Sequence, residues 1–145
     1  MLRLRNIACG LALVAAAAWV PIWAPPMWAQ GYLSGPALNK KIVTDFYRLV
    51  FEPRNPDLMD QFIAPDFVEH SALAEGGRDG LVKFLKTLPP PASDDVGTEM
   101  RNKPAYIVAE GDLVTFVFQQ NGRFTFDLFR IKNGKIVEHW DSAAR

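Results

Sequence analysis

Phe126-Asp-Leu-Phe-Arg-Ile-Lys-Asn-Gly-Lys-Ile-Val-Glu-His-Trp-Asp141 reads as two β-strands joined at Asn133-Gly134, the dipeptide that most readily reverses a chain. Successive strand residues point to opposite sides, so the length of the loop decides which side chains share a face. With a three-residue loop Lys132-Asn133-Gly134, Ile131 pairs Lys135, Phe129 pairs Val137, Asp127 pairs His139 and Thr125 pairs Asp141. Asp127, His139 and Asp141 then share one face. With a two-residue turn, Leu128 faces His139 and Phe126 faces Asp141, which leaves Asp127 on the other side with Trp140. The three-residue loop is preferred, because glycine then takes the left-handed third position and the polar groups collect on one surface.

The 145 residues are 49% hydrophobic and carry no net charge, which suits one compact domain with its own core and argues against disorder. The beginning of the chain differs. Met1 to Asn6 is a short basic lead, Ile7 to Val20 an apolar run, and a small residue offers a cleavage point after Ala29. The run stops at Pro21, short of the roughly 20 apolar residues of a spanning helix, so it reads as a signal peptide, residues 1–29. Export to the periplasm or outside follows as the expectation, with no membrane association once the signal is removed. Cleavage removes Cys9, the only cysteine, and with it any disulfide or thiol nucleophile. The 16 basic residues lose Arg3 and Arg5, leaving 14 against 16 acidic residues, a net charge of −2. That balance predicts no nucleic-acid partner.

Residues 30–37 form a lead-in of glycine and proline, and the domain spans 38–145. Leu38, Ile42, Phe46 and Leu49 recur at helical spacing, widened by Val43 and Val50, and predict an amphipathic helix ending near Phe51. Pro56-Asp57 starts a short second helix, Leu58 to Phe62. Phe67 to His70 is an extended piece with Val68 and His70 on one side. Arg78 to Leu88 is a third helix, with Leu81, Val82, Phe84, Leu85 and Leu88 inward, ended by Pro89-Pro90-Pro91. Residues 92–98 read as a solvated connection, in which Asp94-Asp95 is turn chemistry rather than a metal site. Strands follow at roughly Glu99 to Glu110, Leu113 to Gln119 and Arg123 to Ile131, and Lys135 to Asp141 closes the sheet. The expected class is α+β: three N-terminal helices packed on one face of a curved antiparallel sheet, whose concave side leaves a pocket.

This order of pieces resembles the SnoaL-like polyketide cyclase family of the NTF2-like (cystatin-like cone) superfamily. The resemblance rests on Phe46-Tyr47-Arg48, Asn55-Pro56-Asp57, Phe67-Val68-Glu69-His70, Gly77-Arg78-Asp79-Gly80 and the run Phe126 to Asp141. It covers nearly all of residues 38–141. It implies a cone-shaped fold with one apolar pocket, no metal or organic cofactor, frequent homodimers through the outer sheet face, and an intramolecular aldol cyclisation driven by a carboxylate near the end of the sheet. Asp141 stands where that carboxylate is expected. The chain departs from many relatives after His70, carrying Ser71-Ala72 in place of Asn-Pro.

Removing a proton beside a carbonyl needs a stronger base than an exposed aspartate. A carboxylate strengthens as a base when it is dehydrated in an apolar pocket, and again when a second carboxylate stands nearby. The predicted catalytic residues are therefore Asp141 as acid and base, Asp127 and His139 tuning it, and His70 on the substrate oxygen. Phe46, Tyr47, Phe129 and Trp140 are predicted to contact a small apolar carbonyl compound. The bland alternative is that His139 and Asp141 bond each other and the next strand, as buried polar groups do. His70, His139 and Asp141 also resemble an iron ligand set, a weaker reading. Two functions stay open: a cofactor-independent cyclase or isomerase, and a non-catalytic protein that holds a small molecule in the same pocket.

Overall fold

A computed structural model describes residues 35–93 and 95–142. The signal peptide, residues 30–34 of the lead-in and Asp94 lie outside the described residues. Helix α1 (Gly35–Phe46) starts inside the expected lead-in, with Pro36 in its first turn, and runs into a π-helical turn, Tyr47–Phe51. A 3₁₀ turn (Pro56–Leu58) and the single-turn α2 (Met59–Phe62) follow, the Asn55 side chain accepting the Asp57 amide at 3.1 Å. Then come β1 (Ile63–Glu69), α3 (Gly77–Thr87), β2 (Tyr106–Glu110), β3 (Leu113–Gln120), β4 (Arg123–Lys132) and β5 (Lys135–Asp141).

The five strands make one sheet in the order β1-β5-β4-β3-β2. It is mixed rather than antiparallel. The extended piece around Phe67 is longer than expected, precedes α3, and pairs parallel to β5, so the helices do not form an N-terminal block. Parallel neighbours need a long crossover, here supplied by α3 and the β2–β4 meander. The strand expected from Glu99 begins only at Tyr106. Upstream, the carboxylate of Glu52, 9% exposed, takes the backbone N–H groups of Arg101 and Asn102 at 2.9 and 2.8 Å, which removes those donors from any ladder.

Val43, Val50, Ile63, Leu85, Val114, Phe116 and Ile136, each below 2% exposed, form the centre of the core. Each contributes roughly 1.5–3 kcal/mol by leaving water. The inward stripe of α1 and its π turn is Val43, Phe46, Tyr47 and Val50, while Leu38 lies at the surface. A five-residue hydrogen bond, Glu52 N to Tyr47 O at 2.8 Å, closes the widened turn, and a second, Asn55 N to Val50 O at 2.9 Å, follows it. Such turns recur at functional sites. This one carries Tyr47.

The β4–β5 hairpin corrects the preferred register. Lys132 pairs Lys135, so the turn has two residues, and Asn133 (φ 52°) and Gly134 (φ 76°) both adopt the left-handed conformation that such a turn requires. Ile131 then pairs Ile136, but Arg130 pairs Glu138. Val137 is the extra residue of a β-bulge. Beyond it Phe129 pairs His139, Leu128 pairs Trp140 and Asp127 pairs Asp141. Neither simple register holds along the whole hairpin.

Candidate active site

The bulge at Val137 switches the inward parity of β5. Ile136 is buried before it, and His139 and Asp141 point to the same side after it, in line with Asp127 and Phe129 of β4. Asp127, His139 and Asp141 therefore line one hollow of about 210 Å³, with Tyr47, Phe51, Leu81 and Phe84 as apolar walls and Glu69, Ser71, Leu73 and Ala74 along the β1 side.

His139 is the centre of its electrostatics. Its Nδ1 donates to Glu69, with the two carboxylate oxygens at 2.8 and 3.0 Å, and its Nε2 lies 3.9 Å from Asp127 Oδ1, an ion-pair contact longer than a hydrogen bond. Nε2 is buried and has no hydrogen-bond partner among the described residues. The ring stacks on Phe129 at 4.6 Å and 21°. Burial alone would discharge the imidazole, but Asp127 and Glu69 outweigh it and push its pKa up to about 9. The ring is an imidazolium at neutral pH, with an N–H on each nitrogen.

Hydroxyl groups hold the two aspartates. Tyr47 donates its phenol to Asp127 Oδ2, and Ser71 donates to Asp141 Oδ2 at 2.7 Å while accepting the Leu73 amide at 3.2 Å. Burial, and then the charge of Asp127, push the Tyr47 phenol well above its ordinary pKa, so it remains a donor. Phe46 and Phe129 line a small void of about 30 Å³ beside the hollow, together with His139 and Glu69.

His70 and Trp140 are elsewhere. Glu138 and Trp140 alternate with His139 and Asp141, so they project from the outer face. His70 stacks on Trp140 at 4.5 Å and 3°, and its Nε2 meets Glu138 at 3.3 Å. Arg130 completes this outer cluster, with Nε 3.0 Å from Glu138 and its guanidinium 5.7 Å above the Trp140 ring. The expectations that His70 touches substrate oxygen and that Trp140 stacks on ligand are thereby corrected: strand alternation takes both away from the hollow, and His70, His139 and Asp141 do not assemble as one ligand set.

Glu69 and Ser71 escaped the sequence reading. Alternation placed Val68 and His70 on one side, but that side is the solvent side, and Val68 is 47% exposed. Phe67, buried two residues before Glu69, was the available signal that Glu69 points inward.

Comparison with known proteins now bears on this geometry. Residues 43–139 match the SnoaL-like domain family. Among solved structures, a candidate polyketide cyclase from Acidithiobacillus ferrooxidans is 20% identical over 75% of this chain and 89% of its own, with a TM-score of 0.52. IdmH, a candidate polyketide cyclase from Streptomyces antibioticus, is 21% identical over 71% of this chain and 89% of its own, at 0.51. An NTF2-like protein of unknown function from Burkholderia pseudomallei is 21% identical over 73% and 90%, also at 0.51. No curated protein sequence matches significantly. At these identities the structural likeness speaks for the fold, and the family match covers two thirds of the sequence. On that match the chain belongs to the SnoaL-like domain family.

Proposed function

We propose that this protein catalyses proton abstraction beside a carbonyl group, leading to isomerisation or aldol-type ring closure of a small carbonyl compound, without a cofactor. The observation that carries this reading is the convergence of the His139 imidazolium and the Asp141 carboxylate on one hollow, with the Nε2 N–H of His139 hydrogen-bonded to no acceptor among the described residues and Asp127 3.9 Å from that nitrogen. A carbonyl oxygen accepting that N–H puts the neighbouring C–H within reach of Asp141. Asp141 takes the proton, the electron pair moves onto oxygen, and the fixed charge of His139 stabilises the resulting enolate. The proton then returns from Asp141 to carbon or to the new alkoxide. Glu69 keeps the ring cationic and in place, while Asp127 and Tyr47 orient it from the other side. Two of the structural neighbours are candidate polyketide cyclases, which supports cyclase or isomerase chemistry here. The hollow is smaller than the about 300–1,000 Å³ common for drug-sized ligands, which favours a compact substrate.

Solvent exchange tests the proposal. In D₂O, small ketones that bind the wild-type protein should lose α-protons in their NMR spectra, and Asp141→Asn should abolish that exchange while binding persists. Exchange undiminished in D141N would refute the assignment. Binding without exchange in the wild type would instead favour the second reading, a carrier of small molecules.

Two further elements complete the proposal. The leader is removed on export, which the N-terminus of the secreted protein would establish. The protein forms a homodimer through the outer sheet face, where Tyr106, Val108, Phe124 and Phe126 are each 48–62% exposed. Sedimentation analysis at micromolar concentration tests it.

A further inference from the structure

A second concavity, of about 260 Å³, opens beside the first. Its walls are Phe51 and Tyr47 from the π turn and the run Pro89-Pro90-Pro91, and its polar residues are Glu52, Arg54, Arg101 and Asn102. Tyr47 and Phe51 also line the Asp141 hollow, so the two spaces adjoin along these rings.

The two arginines are not used up by the fold. Arg54 Nη1 donates to the backbone carbonyls of Phe51 and Glu52, the latter at 3.2 Å, and its guanidinium lies 5.5 Å from the Phe51 ring centroid, but its Nε is buried with no hydrogen-bond partner among the described residues. Arg101 has one weak contact, Nη2 to the Asp95 carbonyl at 3.4 Å. Neither guanidinium is in a salt bridge among the described residues. Glu52, the acidic residue of this wall, forms no salt bridge with either arginine among the described residues; its two oxygens receive the backbone amides of Arg101 and Asn102. Arg54 itself sits at φ 59°, a left-handed conformation uncommon for a non-glycine residue. Burial and the charge of Arg101 lower the Arg54 pKa, against an opposing pull from Glu52 that does not cancel them.

We infer that this concavity is a carboxylate-binding subsite, in which Arg54 and Arg101 receive the anionic end of a ligand whose flat apolar body lies against Phe51, Tyr47 and the three prolines. A planar guanidinium fork matches a carboxylate, and proline and aromatic faces match an aromatic or other planar carbon skeleton. The site stands whether or not the hollow turns a substrate over.

Benzoate and its uncharged isostere benzamide are the probes, titrated by calorimetry into the wild type, Arg101→Gln, Arg54→Gln and Asp141→Asn, each first shown to be folded by its melting curve. The expected result is a preference for benzoate of about tenfold or more in the wild type, lost in R101Q and kept in D141N. Equal affinity for the two probes, or no binding of either below about 50 mM, overturns the inference. A preference that survives both arginine variants overturns it too. So does a preference lost in D141N and kept in R101Q, which would assign the benzoate to the hollow. Proton exchange is read separately, so failure of the catalytic reading leaves this result intact.

Discussion

Asp127 and Asp141 are direct partners across β4 and β5, two carboxylates placed opposite one another where like charges ordinarily repel. The pairing holds because each has its own donor, Tyr47 for Asp127 and Ser71 for Asp141, and because the His139 imidazolium lies beside Asp127. Asp127→Asn removes one of the two anions that keep the ring charged. The His139 pKa should fall from about 9, since burial, the largest influence on the ring, is then opposed by Glu69 alone. Imidazole NMR titration measures the shift, and an unchanged value would show that Asp127 does not govern the ring.

The same coupling sets a pH dependence of stability. The folded pKa of His139 is raised, to about 9 against 6.5, so the native state binds the proton more tightly than the unfolded chain. The contribution is complete below pH 6.5, down to where the carboxylate partners take up protons. It is lost as pH rises through about 9, and it amounts to on the order of 3 kcal/mol. Denaturant midpoints should therefore decline between pH 6.5 and 9 in the wild type and flatten in His139→Gln. A wild-type midpoint constant across that window would contradict the charged ring.

Tyr47→Phe isolates a hydroxyl group. The ring keeps its packing against Phe116, centroids 5.1 Å apart, so the variant should lose only about 1 kcal/mol of stability. Turnover in the proton-exchange assay should fall roughly ten- to a hundredfold, because Asp127 and the ring beside it lose their lateral support. His70→Ala provides the contrast. His70 lies on Trp140 at the outer face, and its removal should leave exchange within about twofold of wild type.

Helical and strand periodicity located α1, α3 and the β2–β5 run because those elements bury one face each. The site was harder to read. Convergence of Asp127, His139 and Asp141 was expected from a three-residue loop, whereas the chain reaches it with a two-residue turn and a bulge at Val137. Those two routes give the same parity at the end of β5, and only pairing between strands distinguishes them. Parallel pairing of β1 with β5 was invisible for a related reason: nothing within Ile63–Glu69 encodes its neighbour. Once that strand lies against β5, Glu69 reaches His139, and the inside and outside of the sheet are fixed for His70 as well.

Gly80, in the first turn of α3, tests the packing that supports the β1 side of the hollow. A Cβ there would lie 2.1 Å from the Glu75 carbonyl oxygen and 2.7 Å from that of Ala74, both backbone atoms that cannot rotate aside. Gly80→Ala should therefore cost about 3 kcal/mol or more and lower the melting temperature by roughly 10 °C. Gly111 separates this steric cause from backbone strain. It has φ 56° with nothing within 4 Å of its Cβ position, so Gly111→Ala meets strain alone and should cost about 1 kcal/mol. Equal melting temperatures for the two variants would show that the Ala74–Gly80 segment yields, and that the wall of the hollow beside Ala74 is softer than its close backbone approach implies.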